Sequence, residues 1–274
     1  MSVITISYQM GSGGGEIAHC LADRHGYRCV GSEDLAKVAA RYGLSPAKAT
    51  HLGEARPTLL ERLSAETRLY LIVIQAAMYE FAEQDNVILL GHGGQWLLRG
   101  IGHALRLRVV APFQARVHRL ARSLTTYSQF VSHDLVREMV RRDDTDKAGR
   151  ARYLYDSDLD APALYDVVLN TDRLEVESLV QALSPVVEQL DLAASLESRQ
   201  VLHDLKLTSQ VRAALMAAEE TRRHRIEVET RSAVVLLSGS AGLEEGARVA
   251  SRIPGVREVK QQLIVIPTVP PVVM

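Results

Sequence analysis

The run VITISYQMGSGGGEIA, residues 3–18, decides how most of this chain is read. Val3 to Ser7 is a short β-branched stretch that suits a strand, and Ile17, Ala18, Cys20, Leu21 and Ala22 then recur at helical spacing. Between them lie Gly11, Ser12, Gly13, Gly14 and Gly15. A strand, a glycine loop and a helix in that order can cradle phosphate, because glycines let successive backbone N–H groups converge and the helix N-terminus adds partial positive charge. The usual loop of this kind, G-x-x-x-x-G-K-[ST], would begin at Tyr8 in this register and place Gly13 at its second glycine. Gly14 then stands where lysine belongs, and Gly15 where the magnesium-binding hydroxyl belongs. With three of the four fixed positions changed, the cluster taken alone reads equally as a flexible turn.

Outward from this run, strand-like stretches alternate with helical ones. Tyr27 to Val30 reads as a strand, Asp34 to Tyr42 as a helix, and Pro57 to Gln84 as one long helix or two stacked ones. Asn86 to Leu90 holds a continuous apolar run, as in a central parallel strand covered on both faces, and Gly91, Gly93 and Gly94 end it. Leu105 to Val110, interrupted by Arg106 and Arg108, and Asp166 to Leu169 complete the set. The alternation predicts an α/β fold with a parallel sheet, whose ligands bind outside the carboxyl ends of the strands. The first glycine loop and the Gly91 loop both fall there.

Near Leu196 the pattern changes. A helix over Asp204 to Met216, strands over Ile226 to Thr230 and Ala233 to Ser238, a helix over Leu243 to Ile253 and a strand over Val256 to Ile266 predict a small α+β module of order αββαβ. The expected division is a first domain over 1–190, a linker over 191–202, the second module over 203–267 and a proline-rich tail over 268–274. A length of 274 residues accommodates two domains, and 47% hydrophobic with 24% charged residues suits a chain that buries a real core. Lys and Arg (32) nearly balance Asp and Glu (33), so no overall field favours nucleic acid, which is not an expected partner. Cys20 and Cys29 read as packed reduced thiols. No signal-like or membrane-spanning apolar segment is evident, and the expected location is the cytoplasm.

Phosphate chemistry draws attention to Arg141-Arg142-Asp143-Asp144-Thr145-Asp146-Lys147-Ala148-Gly149-Arg150-Ala151-Arg152, with five basic residues in twelve. Spacing of four sets Arg142, Asp146 and Arg150 along one stripe, a pattern that also suits a solvated helix. His92, between glycines at a strand's carboxyl end, is placed to touch a phosphate or a base, or to be a plain loop residue. The nine histidines show no H-E-x-x-H spacing, so no metal-ligating residues are expected. Trp96, Tyr153 and Tyr155 offer rings for base stacking, with core packing as the alternative for Trp96. Asp34, in GSEDLA, is an ordinary helix-capping signal.

Read together, ITISYQMGSGGGEIA, NVILLGHGG, LRVVAPFQARVHR, RRDDTDKAGRARYLY and LYDVVLNTDRLEVESLV resemble, in order and spacing, the cytidylate kinase-like family of P-loop nucleoside monophosphate kinases. The resemblance implies a P-loop kinase-type sheet flanked by helices, with ATP and Mg²⁺ as cofactors and a (d)CMP-like nucleotide as acceptor of the γ-phosphoryl group. It implies that Gly11, Ser12, Gly13, Gly14, Gly15 and Glu16 hold the donor nucleotide, and that Arg142 and Arg150, in R-D-D-x-D-x-x-R, close over the transferring phosphates. Asp34, His92, Arg116, Arg141, Lys147 and Arg152 fall on the substrate side, with Arg141, Lys147 and Arg152 as candidates to replace the charge the first loop lacks, and Asn170 and Thr171 fall where such folds pass the adenine. The family often carries arginines that here are Tyr8 and Gly15, which supports the alternative of an inactive nucleotide-binding pseudokinase. Asp204, Val211, Ala214, Leu215, VVLLSG with Gly239, Ala247, Ala250 and Pro254-Gly255-Val256 resemble a BON domain. Such a module implies docking or regulation through a small ligand or a protein partner; a homo-oligomer stays open.

Overall fold

A computed structural model describes residues 2–42, 44, 65–127, 132–192 and 194–264. Five parallel strands form the first sheet: β1 (Val3–Tyr8), β2 (Arg28–Val30), β3 (Val87–Leu90), β4 (Ala104–Val110) and β5 (Val167–Asn170), in the order β2-β3-β1-β4-β5. Among the described residues seven α-helices accompany it: α1 (Gly14–His25), α2 (Ser32–Arg41), α3 (Ala65–Glu83), α4 (Gly94–Leu97), α5 (Phe113–Tyr127), α6 (His133–Tyr155) and α7 (Val176–Leu192). This is the parallel sheet flanked by helices that the alternation predicts, of the P-loop kinase type that the resemblance implies.

Period-two alternation sends neighbouring strand residues to opposite faces. Ile4, Ile6, Ile88, Leu105 and Leu107 pack with Ile17 and Leu21 of α1 and with Leu179, Val180, Leu183 and Val187 of α7. Val3, Val87 and Leu89 pack on the other face with Leu35 and Val38 of α2 and with Val73, Ala77 and Met78 of α3. Burial on both faces explains why β3 reads as an unbroken apolar run.

The second sheet, β6 (Ile226–Arg231), β7 (Val234–Gly239) and β8 (Glu258–Leu263), has the order β6-β7-β8, with α8 (Leu196–Ala217) and α9 (Leu243–Ala250) completing the αββαβ order. Ser232 and Ala233 form the β6–β7 turn with positive φ (50° and 62°), the twist that two-residue hairpins favour. Asp204 of α8 accepts hydrogen bonds from both of their amides, at 2.7 and 2.9 Å, which satisfies the turn's exposed donors.

Residues 191–202, read from the sequence as a linker, hold the end of α7 and the first turns of α8. The helix begins eight residues before Asp204 because its apolar residues serve two cores. Leu202 and Ala213 join the core of the parallel sheet, whereas Val211 and Leu215 join that of the small sheet. A polar seam flanks this packing. Arg199 pairs with Asp85 at 2.7 Å, Glu83 receives both His203 and Lys206, and Ser198 Oγ lies 2.5 Å from His103 Nδ1. The tail over 268–274 and the start of the helix expected from Pro57 lie outside the described residues.

A helix shared between two cores couples their stabilities. Leu202→Ala is expected to cost about 2–5 kcal/mol, as for other buried leucines, and to lower the unfolding midpoint of both units together. Denaturant unfolding followed by probes in each unit checks this; a shift confined to the small module would contradict it.

Candidate functional site

The glycine loop leaves β1 at Tyr8 and closes with Ser12 N donating to Gln9 O at 3.0 Å. Gly11 and Gly13 have positive φ (76° and 81°), and Gly13 O accepts from Ile17 N as α1 begins. Two glycines are demanded by close approach. A Cβ on Gly11 would lie 2.4 Å from the carbonyl oxygen of Arg116, and one on Gly14 would lie 2.3 Å from Cβ of Tyr8. The position reserved in other loops for lysine is therefore filled here by the Tyr8 side chain, whereas Gly15 faces open space. Ser12 O accepts from Thr171 Oγ1 at 2.8 Å, and Arg119 binds both the hydroxyl (2.7 Å) and the carbonyl of Thr171. A depression of about 490 Å³ opens beside this junction, lined by Ser12, Gly13, Glu16, Arg119, Arg173 and neighbouring residues of the β5–α7 turn.

Helix α6 carries the basic segment. Its Ser132 cap accepts from Leu135 N, and Val136 and Val140 bury its first half against Val117 and Ala121 of α5. Arg116 of α5, buried, donates to Ala111 O and Met10 O and grips Asp144 with both terminal nitrogens at 2.9 and 2.8 Å. Sequence reasoning set Arg116 toward the substrate; the structure turns its donors inward, where it fastens α6 to the loop.

One turn further, Lys147 Nζ donates to Tyr8 O at 3.0 Å, stands 4.7 Å from the centre of the Tyr8 ring and pairs with Asp143 at 2.9 Å. Burial lowers its pKa; Asp143 opposes that shift, while Arg150 and Arg108 add to it. Arg150 lies close enough to act electrostatically on both Lys147 and His92. The remaining bases of the segment point elsewhere. Arg142 is 77% exposed and pairs loosely with Asp146 at 3.7 Å, about 140° around the helix from Lys147. Arg141 lies over the Phe113 ring, and Arg152 lines a separate depression with Tyr153 and Asp160.

The third wall is the Gly91 loop, joined to β1 through Gly91 N and Ile6 O. His92, with φ of 54°, places Nε2 3.1 Å from Ser32 Oγ at the start of α2. Burial, followed by the charges of Arg150 and Lys147, pushes its pKa down to about 4, so the ring is neutral at pH 7. Asp34 caps α2 through Gly31 N and pairs with Arg28, as its sequence context allows. Trp96 stacks on Tyr155, centroids 4.2 Å apart, which commits both rings to packing the end of α6. A Cβ at Gly93 would meet the Tyr155 hydroxyl at 2.4 Å.

The fold thus gathers the loop over Gly11–Gly15, Lys147, Arg150 and His92, and leaves Arg141, Arg142, Arg152 and Asp34 outside that group. Sequence reasoning missed Tyr8 as a packing residue and Arg108 as a buried cation. Arg108 donates to Ser7 Oγ at 2.9 Å and to Asp160 at 2.7 Å. Two arginines, Arg106 and Arg108, on one face of an otherwise apolar strand were the available signal, since a buried charge needs a partner.

Residues 3–173 match the profile of the cytidylate kinase-like family, and residues 203–267 match that of the BON domain. A cytidylate kinase of Methanocaldococcus jannaschii is 25% identical over 193 residues, covering 69% of this chain and 98% of its own. One from Methanothermobacter thermautotrophicus is 27% identical, covering 64% and 99%. An uncharacterized protein from Eubacterium ventriosum superposes with a TM-score of 0.53 at 14% identity, over 69% of this chain and 99% of that one, a likeness of fold.

The depressed His92 pKa makes stability depend on pH. An unfolded histidine takes up its proton near pH 6.5, so between about 6.5 and 4 the unfolded chain holds more protons and stability falls as pH drops, levelling below 4. His92→Asn, which tolerates the positive φ, is expected to remove on the order of 2 kcal/mol of that acid-side loss, discounted because the ring is only partly buried. Unfolding free energies of both proteins at pH 7 and pH 4.5 check it.

Proposed function

Since the chain belongs to the cytidylate kinase-like family through residues 3–173, we propose that it transfers the γ-phosphoryl group of ATP to a (d)CMP-like nucleoside monophosphate. The observation that carries this reading is the arrival of Lys147 at the carboxyl end of β1, where the glycine loop begins, with Arg150 close enough to act on its charge. Phosphoryl transfer asks a protein mainly to position oxygens and neutralise their charge, and a backbone cradle with converging cations does that. An oxygen of the acceptor phosphate bonds to the γ-phosphorus as the bond from that phosphorus to the β–γ bridging oxygen breaks, and ADP departs with the electron pair. Arg150 neutralises charge on the phosphoryl oxygens, and neutral His92 bounds the acceptor side next to Ser32. The depression beside Thr171 and Arg119 suits the donor's nucleoside end. The (d)CMP acceptor is supported by the names of the relatives alone.

Mg²⁺ accompanies ATP in such kinases and supplies charge neutralisation at the phosphates. Among the described residues no three His, Cys, Asp or Glu side chains gather to hold a metal ion, and Gly15 offers no hydroxyl. Such an ion would be held chiefly by the nucleotide's own phosphates and water, and the chain's cations would add to the charge it neutralises. No described helix is long and apolar enough to cross a membrane. The BON domain is proposed to dock a small ligand or a protein and to report on the kinase-like unit through α8.

A second reading, nucleotide binding without turnover, draws on Gly14 and Gly15 standing where lysine and a hydroxyl usually stand. A panel of nucleoside monophosphates with ATP, scored by ADP release and by calorimetry, separates the two. Turnover with CMP or dCMP is expected; tight binding with none would favour the second reading. Arg150→Ala is expected to lower kcat by about 100-fold or more with little change in KM, and Arg142→Ala by less than about threefold. Equal losses would contradict the placement of the two arginines.

A further inference from the structure

Resting on that kinase reading, we infer that Lys147 is the phosphate-binding cation of the glycine loop, delivered from helix α6 in place of the lysine the loop lacks. Three observations converge. Lys147 Nζ already reaches the loop's entrance, 3.0 Å from Tyr8 O, and is held there by Asp143 and by the Tyr8 ring. Tyr8 occupies the space a side chain on Gly14 would need, so a lysine cannot stand on α1 at that position. The residue that closes one route to a cation thus provides the seat for the other. Finally, Arg108, bonded to Ser7 Oγ one residue before Tyr8, brings a second cation to this end of β1 and acts on Lys147. Arg108 is buried and its Nε has no hydrogen-bond partner among the described residues. A buried guanidinium with an unmet donor favours an anion beside it, and a polyphosphate at the glycine loop is the anion this geometry suits.

The geometry also explains how an ammonium can serve from outside the loop. Lysine binds phosphate as a point charge on a flexible stem, so its element of origin matters less than where Nζ arrives. Exchanging its bond to Tyr8 O for one to a phosphate oxygen needs only rotation of the side chain.

The test is calorimetric titration of the full-length protein with ATP, AMP and inorganic tripolyphosphate near neutral pH, with circular dichroism as the folding control. Lys147→Met is expected to weaken ATP and tripolyphosphate by about 10- to 100-fold and AMP by less, as expected for loss of a charge-assisted contact to the outer phosphates. Lys147→Arg should regain most of the affinity. Because Lys147→Met alone strands Asp143, the double variant Asp143→Asn/Lys147→Met is the second arm; it should melt close to wild type and bind as weakly as the single variant. Adding Gly15→Lys, which has open space, should recover part of the lost tripolyphosphate affinity. If wild type binds but Lys147→Met or the double variant matches it within about twofold, or loses AMP as severely as ATP, the role of Lys147 is overturned and the kinase reading stands. If folded wild type binds neither ATP nor tripolyphosphate, both are overturned.

Discussion

The buried guanidinium of Arg116 is where loop, sheet and basic helix meet. It takes the carbonyls of Met10 and Ala111 and both oxygens of Asp144, and its own carbonyl oxygen lies so close to Gly11 that no Cβ fits there. A charge removed from water has to be paired and hydrogen-bonded, so the partners of Arg116 are not exchangeable. Because Asp144 is pinned, the rotation and register of α6 are fixed, and Lys147, three residues on, arrives over Tyr8. Removing Asp144 would leave the buried guanidinium short of its carboxylate and free the helix that carries Lys147 and Arg150.

The consequence is a division of labour between elements that are far apart in the chain. Backbone N–H groups of the loop come from the β1–α1 junction, the ammonium and one guanidinium come from α6, and the uncharged His92 comes from the turn after β3. Neutral His92 matters in this company, since a third positive charge beside Lys147 and Arg150 would be repelled; its pKa is lowered by burial first and by those two residues next. The positive field therefore exists only once the sheet has brought these segments together.

Helix α8 extends the same logic to the second module. Its two apolar faces enter two cores, and Asp204 on it holds the β6–β7 turn while Glu83, Asp85 and His103 of the first unit receive its other side chains. A module docked through such a helix cannot shift without disturbing α3, which packs against the sheet. That contact gives the kinase-like and BON-like parts a mechanical connection through apolar packing and a flanking row of ion pairs.

Much of this was legible in the residues themselves. Period-two and period-three-to-four patterns fix strands and helices because each element has to bury one or two defined faces, which is why the parallel sheet, the αββαβ module, the capping role of Asp34 and the glycine loop could be read directly. What a sequence pattern does not carry is direction around a helix relative to a distant neighbour. In the segment from Arg141 to Arg152 all five bases look alike, yet Asp144 anchored by Arg116 turns Lys147 and Arg150 inward and Arg142 to solvent. A linker was read where α8 begins because residues serving two cores blur a single-faced repeat. The sequence alone determined a glycine loop without the usual lysine and a basic segment far along the chain; only the tertiary structure decided which of those bases comes near the loop, because electrostatics depends on distances across the fold and not on separation along the chain.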